Sequence, residues 1–61
     1  MGAKVILSMA NDTRLWLNPN QIVKMERTPE GRFFVFMTNG EVFEIDRRAA
    51  GAIENFFEYQ Q

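Results

Sequence analysis

The sequence predicts an α+β, β-rich domain: about five mostly antiparallel strands, joined as β-hairpins, followed by one C-terminal amphipathic helix. Three observations predict it. Asn39-Gly40 sits between two apolar and β-branched runs, Phe33–Met37 and Val42–Ile45, which is the strongest short-range hairpin signal a sequence offers. Upstream, side chains alternate with a period of two through three further stretches. After Asp46 the period lengthens, and Ala49, Ala50, Ile53, Phe56, Phe57 and Gln60 recur at helical spacing.

In chain order, residues 4–9 form a first strand with Val5, Leu7 and Met9 on one face and Lys4, Ile6 and Ser8 on the other. Ala10-Asn11-Asp12 turns the chain, because Asn and Asp tolerate left-handed φ and bond their own backbone. The second strand, 13–17, places Thr13, Leu15 and Leu17 opposite Arg14 and Trp16. Asn18-Pro19-Asn20 then breaks it, since Pro lacks an amide and restricts the residue before it.

The third strand, 21–28, is the least apolar. Strict alternation sets Ile22 with Lys24 and Glu26, and Val23 with Met25 and Arg27. Its charges suit an edge, where they discourage unwanted pairing. Pro29-Glu30-Gly31 makes the next turn. The fourth strand, 32–38, is apolar on both faces, with Phe33, Val35 and Met37 against Phe34 and Phe36. Asn39-Gly40 is read as a type I′ turn with two positive φ angles, leading into the fifth strand, 41–46. Asp46 is placed to cap the helix, 47–59, by accepting a backbone amide one turn on. Gly51 lies in the middle of that helix, where it is about 1 kcal/mol worse than alanine, and suggests close packing or marginal stability.

Taken as one sheet, five strands at about 4.8 Å spacing span roughly 24 Å, whereas one helix covers about 10 Å. One helix then covers one face only, through Ala49, Ile53, Phe56 and Phe57. Some of Ile6, Trp16, Val23, Met25, Phe34 and Phe36 remain on the other. Either the sheet curls into a small barrel around them or a second subunit or partner covers them. Self-association is the preferred expectation.

Composition narrows the chemistry. The 61 residues make one domain, 1–61, near the lower size for folding without metals, disulfides or association. Without cysteine or histidine there is no thiol nucleophile, imidazole base, disulfide or Cys/His zinc site. The carboxylates are dispersed, and Glu41 and Glu44 fall on opposite faces of their strand, which disfavours a paired acid and base. No phosphate-binding glycine loop or calcium-loop spacing occurs. The reading is therefore non-enzymatic, with no catalytic residue, cofactor or metal. Seven Lys plus Arg against eight Asp plus Glu leave a net charge of −1, which gives no overall pull toward nucleic acid. With no basic apolar leader and no apolar run of about 18 residues, a cytoplasmic protein without membrane insertion is expected.

Five residues stand out as candidate interaction residues: Trp16, Phe34, Phe36, Arg47 and Arg48. Trp16 is the only tryptophan, a residue type enriched at interface anchors and equally at home in a small core. Phe34 and Phe36 alternate on one strand face, as do aromatic platforms that stack single-stranded RNA bases, but no glycine-aromatic signature or basic surround accompanies them, and core or oligomer packing is the preferred reading. Arg47-Arg48 opens a helix at the end that favours anions. It reads either as an anion or partner contact, or as a solvated pair with Arg48 bridging to Asp46 or Glu44.

Several strings carry a family resemblance: Leu17-Asn18-Pro19 leading into Ile22 and Met25-Glu26, then Thr28-Pro29, Thr38-Asn39-Gly40, and Phe57-Glu58-Tyr59 in the helix. Together they resemble the FlbD-like proteins, short bacterial chains associated with flagellar and swarming motility. The chain departs from that pattern at Ala10-Asn11-Asp12, at Arg47-Arg48 and in the aromatic cluster Phe33–Phe36. A second likeness is to the end of LytTR-type DNA-binding domains, in the Asn…Ile strand, the Asn-Gly hairpin and an Arg-bearing segment. The leading expectation is a regulatory module, resembling the FlbD-like proteins, that self-associates through its second sheet face and works by protein contact, with Trp16, Phe34 and Phe36 as apolar anchors and Arg47 and Arg48 as a polar rim. The alternative is a nucleic-acid-binding regulator, similar to LytTR-type domains, with Arg14, Lys24, Arg27, Arg32, Arg47 and Arg48 gathered on one surface despite the overall charge. A phage- or plasmid-type inhibitor of a host protein fits the size and composition equally.

Overall fold

The structure is a computed structural model that describes residues 5–59. Lys4 and Gln60, assigned above to the first strand and the helix, lie outside those residues. Five antiparallel strands precede one helix: β1 (Ile6–Ser8), β2 (Leu15–Leu17), β3 (Ile22–Arg27), β4 (Phe33–Met37), β5 (Val42–Ile45) and α1 (Arg47–Tyr59). The predicted class and element order hold, with β1 and β2 shorter than expected. The single wide sheet does not. The strands divide between a two-stranded ribbon, β1-β2, and a three-stranded sheet in the order β3-β4-β5.

That division changes which residues are inside. Ile6 and Leu17 from the ribbon, Ile22, Val35 and Ile45 from the sheet, and Ala49, Ala50 and Ile53 from α1 form one buried cluster. Two short sheets can each turn an inner face toward the same helix, which one flat sheet cannot do. Leu15, Met25, Phe33, Met37, Phe43 and Phe57 pack around the cluster. Ile6 and Met25, expected on the uncovered side, therefore belong to the core side. For Ile6 the sequence left the face of β1 undetermined, since both faces carry apolar residues. For Met25 the reason is a β-bulge.

The bulge lies between Ile22 and Lys24, where the pairing with β4 shifts register: Ile22 faces Met37, and Lys24 already faces Phe36. One extra residue breaks the period of two, so Ile22 and Met25 turn inward while Val23, in the bulge, points to solvent. β3 is an edge strand, as its charges indicated.

The turns follow their residues, with one correction. Asn11 and Asp12 both take left-handed φ, 56° and 58°. Asn18 accepts the Asn20 amide at 3.0 Å and starts a short 3-10 turn over buried Pro19. Between β4 and β5, however, Gly40 has φ +90° while Asn39 is not among the positive-φ residues. The Met37 amide donates to the Glu41 carbonyl at 2.8 Å, and the Gly40 amide to the Met37 carbonyl at 3.0 Å. This is a three-residue loop with a left-handed glycine in its bulge position, not a type I′ turn. The Asn39 side chain braces it, accepting the Glu41 amide at 3.0 Å.

Asp46 caps α1 as predicted: its Oδ1 accepts the Ala49 amide at 2.8 Å. Its Oδ2 also accepts the Met9 amide at 3.0 Å, and its own amide donates to the buried Ser8 hydroxyl at 3.0 Å. One residue thus ends β5, starts the helix and ties both to the end of β1. Gly51 is not a packing necessity, because a Cβ built there meets nothing within 4 Å. Gly51→Ala is therefore expected to stabilise the protein by about 0.5–1 kcal/mol through helix propensity and the unfolded chain, measured as a higher urea midpoint. A lower midpoint would contradict the open surroundings of that position. No helix among the described residues is long and apolar enough to cross a membrane.

Candidate interaction surface

The outer face of the three-stranded sheet is set by β4. Val35 points inward and is fully buried, so alternation sends Phe34 and Phe36 outward. Lys24 and Val42 flank Phe36, and Glu26 and Glu44 flank Phe34. The two rings are not bare. Lys24 Nζ lies 4.4 Å from the centroid of Phe36, and the Arg32 guanidinium carbon 5.5 Å from that of Phe34. Each cation is also paired with a carboxylate, Lys24 with Glu26 at 3.0 Å and Arg32 with Glu44 at 2.9 Å. The rings therefore remain half-buried beneath charged side chains.

Glu44 is the hub of that face. Arg32 grips it with two parallel hydrogen bonds, Nε to Oε2 at 3.0 Å and Nη2 to Oε1 at 2.9 Å, and Asn11 Nδ2 donates to Oε1 at 3.0 Å. The last contact joins the β1–β2 loop to β5. The Arg32 hydrogen bonds, followed by that from Asn11, lower the Glu44 carboxyl to about 2. A carboxylate with a lowered folded-state pKa contributes stability above its unfolded value and loses it as pH falls through the folded one. Stability from Glu44 should thus be complete above about pH 4.5 and gone near pH 2. Glu44→Gln is expected to flatten the fall in urea midpoint between those values relative to the parent chain. An unchanged acid limb in the variant would show that the Arg32–Glu44 pair contributes nothing.

The ribbon presents a different surface. Leu7 pairs directly with Trp16, so the two share the face opposite Ile6 and Leu17. Trp16 is 63% exposed, and along β1 Val5, Leu7 and Met9 are 54%, 44% and 50% exposed. These residues carry the largest open apolar stretch on the ribbon. Val5, Leu7 and Met9, without Trp16, also form one wall of a groove of about 590 Å³ whose other wall is α1, including Arg48, Ala52, Asn55, Phe56 and Tyr59. Phe56, expected in the core, lines this groove, while Phe57 packs on the core beside it, ring centroids 6.2 Å apart.

The five candidate residues do not converge. Phe34 and Phe36 lie on the outer face of the sheet, and Trp16 on that of the ribbon. Arg47 lines a hollow with Arg27, Gly31, Phe33 and Glu54, and Arg48 lines the β1–α1 groove. Neither arginine forms an ion pair among the described residues, and the Arg48 bridge to Asp46 or Glu44 is absent there. The arginines consequently do not rim the Phe34–Phe36 face. Val5, Leu7, Met9 and Tyr59 escaped the sequence reading because an apolar strand beside an apolar helix looks the same whether its contacts are filled or open. Among the described residues no group of three or more carboxylates is placed to hold a metal ion. No family model matches the chain, and neither does a curated protein or a solved structure.

Proposed function

We propose that the protein is a non-enzymatic interaction module that self-associates and regulates a larger assembly by protein contact. One observation carries the reading: the ribbon exposes Val5, Leu7 and Met9 beside Trp16 of β2, and residues 5–9 include no charge. Contiguous apolar surface of that kind is a mark of an interface, and tryptophan is a favoured anchor within one. The resemblance to FlbD-like motility proteins supports a regulatory role. Trp16→Glu is expected to abolish association while leaving the helical circular dichroism intact, because the residue touches little of the core. Loss of the folded signal in that variant would make Trp16 a structural residue and overturn its role as an anchor.

A nucleic-acid role would need the cations on one surface. They are divided instead: Lys24 and Arg32 are neutralised on the sheet face, Arg27 and Arg47 sit by Glu54, and Arg48 lies in the groove. No salt-sensitive retention of oligonucleotides is expected at about 50 mM salt, where phosphate contacts are strong.

A further inference from the structure

We propose that the groove between β1 and α1 receives a second copy of this chain, joined β1 edge to β1 edge about a two-fold axis at Leu7. The proposal rests on the self-association reading above and adds the surface and its geometry.

The described strands leave four open edges, on β1, β2, β3 and β5, and they are not alike. β3 carries Lys24, Glu26 and Arg27 and a bulge, devices that keep an edge from pairing. Among the described residues β1 pairs only with β2, and neither carries any of these, but of the two only β1 lines the groove. Its free side can be read from one bond: the Met9 amide donates to Asp46, away from β2. Backbone groups alternate along an antiparallel strand, so the Leu7 amide and carbonyl point to that same free side. No backbone hydrogen bond outside the ladders engages them among the described residues. The free groups are those of Leu7, since the Met9 amide on the same side is held by Asp46, and an uncharged strand with such groups fits another at that point. The chain possesses one in residues 5–9.

Antiparallel pairing of β1 with its copy is self-complementary. Leu7 meets Leu7 of the second copy through its amide and carbonyl, the Val5 side chain lies opposite Met9, whose amide stays with Asp46, and the Leu7–Trp16 register extends to an apolar row of Trp16, Leu7, Leu7 and Trp16 across four strands. The helix agrees with this arrangement. Arg48, Ala52, Asn55 and Tyr59 line the groove at spacings of four, three and four, which is one face of α1. α1 begins at Asp46 beside Met9, and two-fold copies of it would run antiparallel, about 10 Å apart over two strands at about 4.8 Å. In that pairing Arg48 meets Tyr59 and Ala52 meets Asn55. The cation then lies against a tyrosine ring with Glu58 beside it, a complementary pair at each end. Small Ala52 near the axis lets the helices approach.

The chain has no cysteine, so Leu7→Cys introduces a single thiol at the axis. A directly opposed pair about 5.5 Å apart between Cα atoms is within disulfide reach. Mild oxidation of this variant is expected to give mostly covalent dimer, while Trp16→Cys, three strand spacings from its counterpart, gives none. In unmodified background, Arg48→Glu should weaken association at least tenfold, and adding Glu58→Arg to the same chain should restore it. Circular dichroism verifies that each variant is folded. If the parent chain associates but Leu7→Cys fails to cross-link and Arg48→Glu binds as the parent does, the edge pairing is wrong and self-association stands on another surface. A folded chain that is monomeric at every concentration overturns both.

Discussion

Ile53→Ala is expected to lower the free energy of unfolding by about 3 kcal/mol, within the range of 2–5 kcal/mol for removing buried Ile or Leu side chains. Ile53 is fully buried on the helix face that meets both the ribbon and the sheet, so a cavity there leaves no neighbour free to collapse into it from solvent. For a chain of 61 residues the whole stability is about 3–9 kcal/mol at typical per-residue values. The substitution thus removes a third or more of it. Urea unfolding followed by circular dichroism measures the loss. A change below about 1 kcal/mol would show that α1 does not hold the two sheets together.

Asp46→Ala carries the second-largest effect, about 2 kcal/mol. Loss of an N-cap costs about 1 kcal/mol, and here the same carboxylate also satisfies the Met9 amide, whose loss adds about another. Asp46→Asn separates the two contributions. Asparagine is as good a cap as aspartate, but its second atom is an amide nitrogen, which cannot accept from Met9. The Asn variant should therefore recover about half of the loss in urea midpoint. Equal losses in Ala and Asn would place the whole effect on the tie to β1, and no loss in either would remove Asp46 as the joint between β1, β5 and α1.

Local signals were legible in the sequence because they depend on neighbouring residues alone. Asp46 as a cap, Pro19 as a breaker, Asn11-Asp12 as a left-handed turn and the extent of α1 all belong to that class. Asn39-Gly40 announced a hairpin but not its loop, because a left-handed glycine serves both a two-residue turn and a three-residue loop with a bulge. Whether Thr38 joins the loop depends on the register between β4 and β5. The bulge at Val23 was equally hidden, since Gln21–Thr28 alternates smoothly and only pairing with β4 introduces the shift. So was the division into two sheets, because hairpin signals report which strands are joined and not which sheets they enter.

The candidate surface was legible in part for the same reason. Phe34 and Phe36 were correctly set on one face, yet the cations above them come from β3 and from the turn before β4, which alternation within β4 does not report. Arg47 and Arg48 are adjacent in sequence but about 100° apart around a helix, and that rotation sends them to different hollows.

The central claim is self-association, and solution mass by light scattering across a hundredfold dilution, with circular dichroism on the same samples, tests it most directly. A mass of two chains is expected at the concentrated end, falling toward one chain on dilution. A folded protein with the mass of one chain throughout would contradict it.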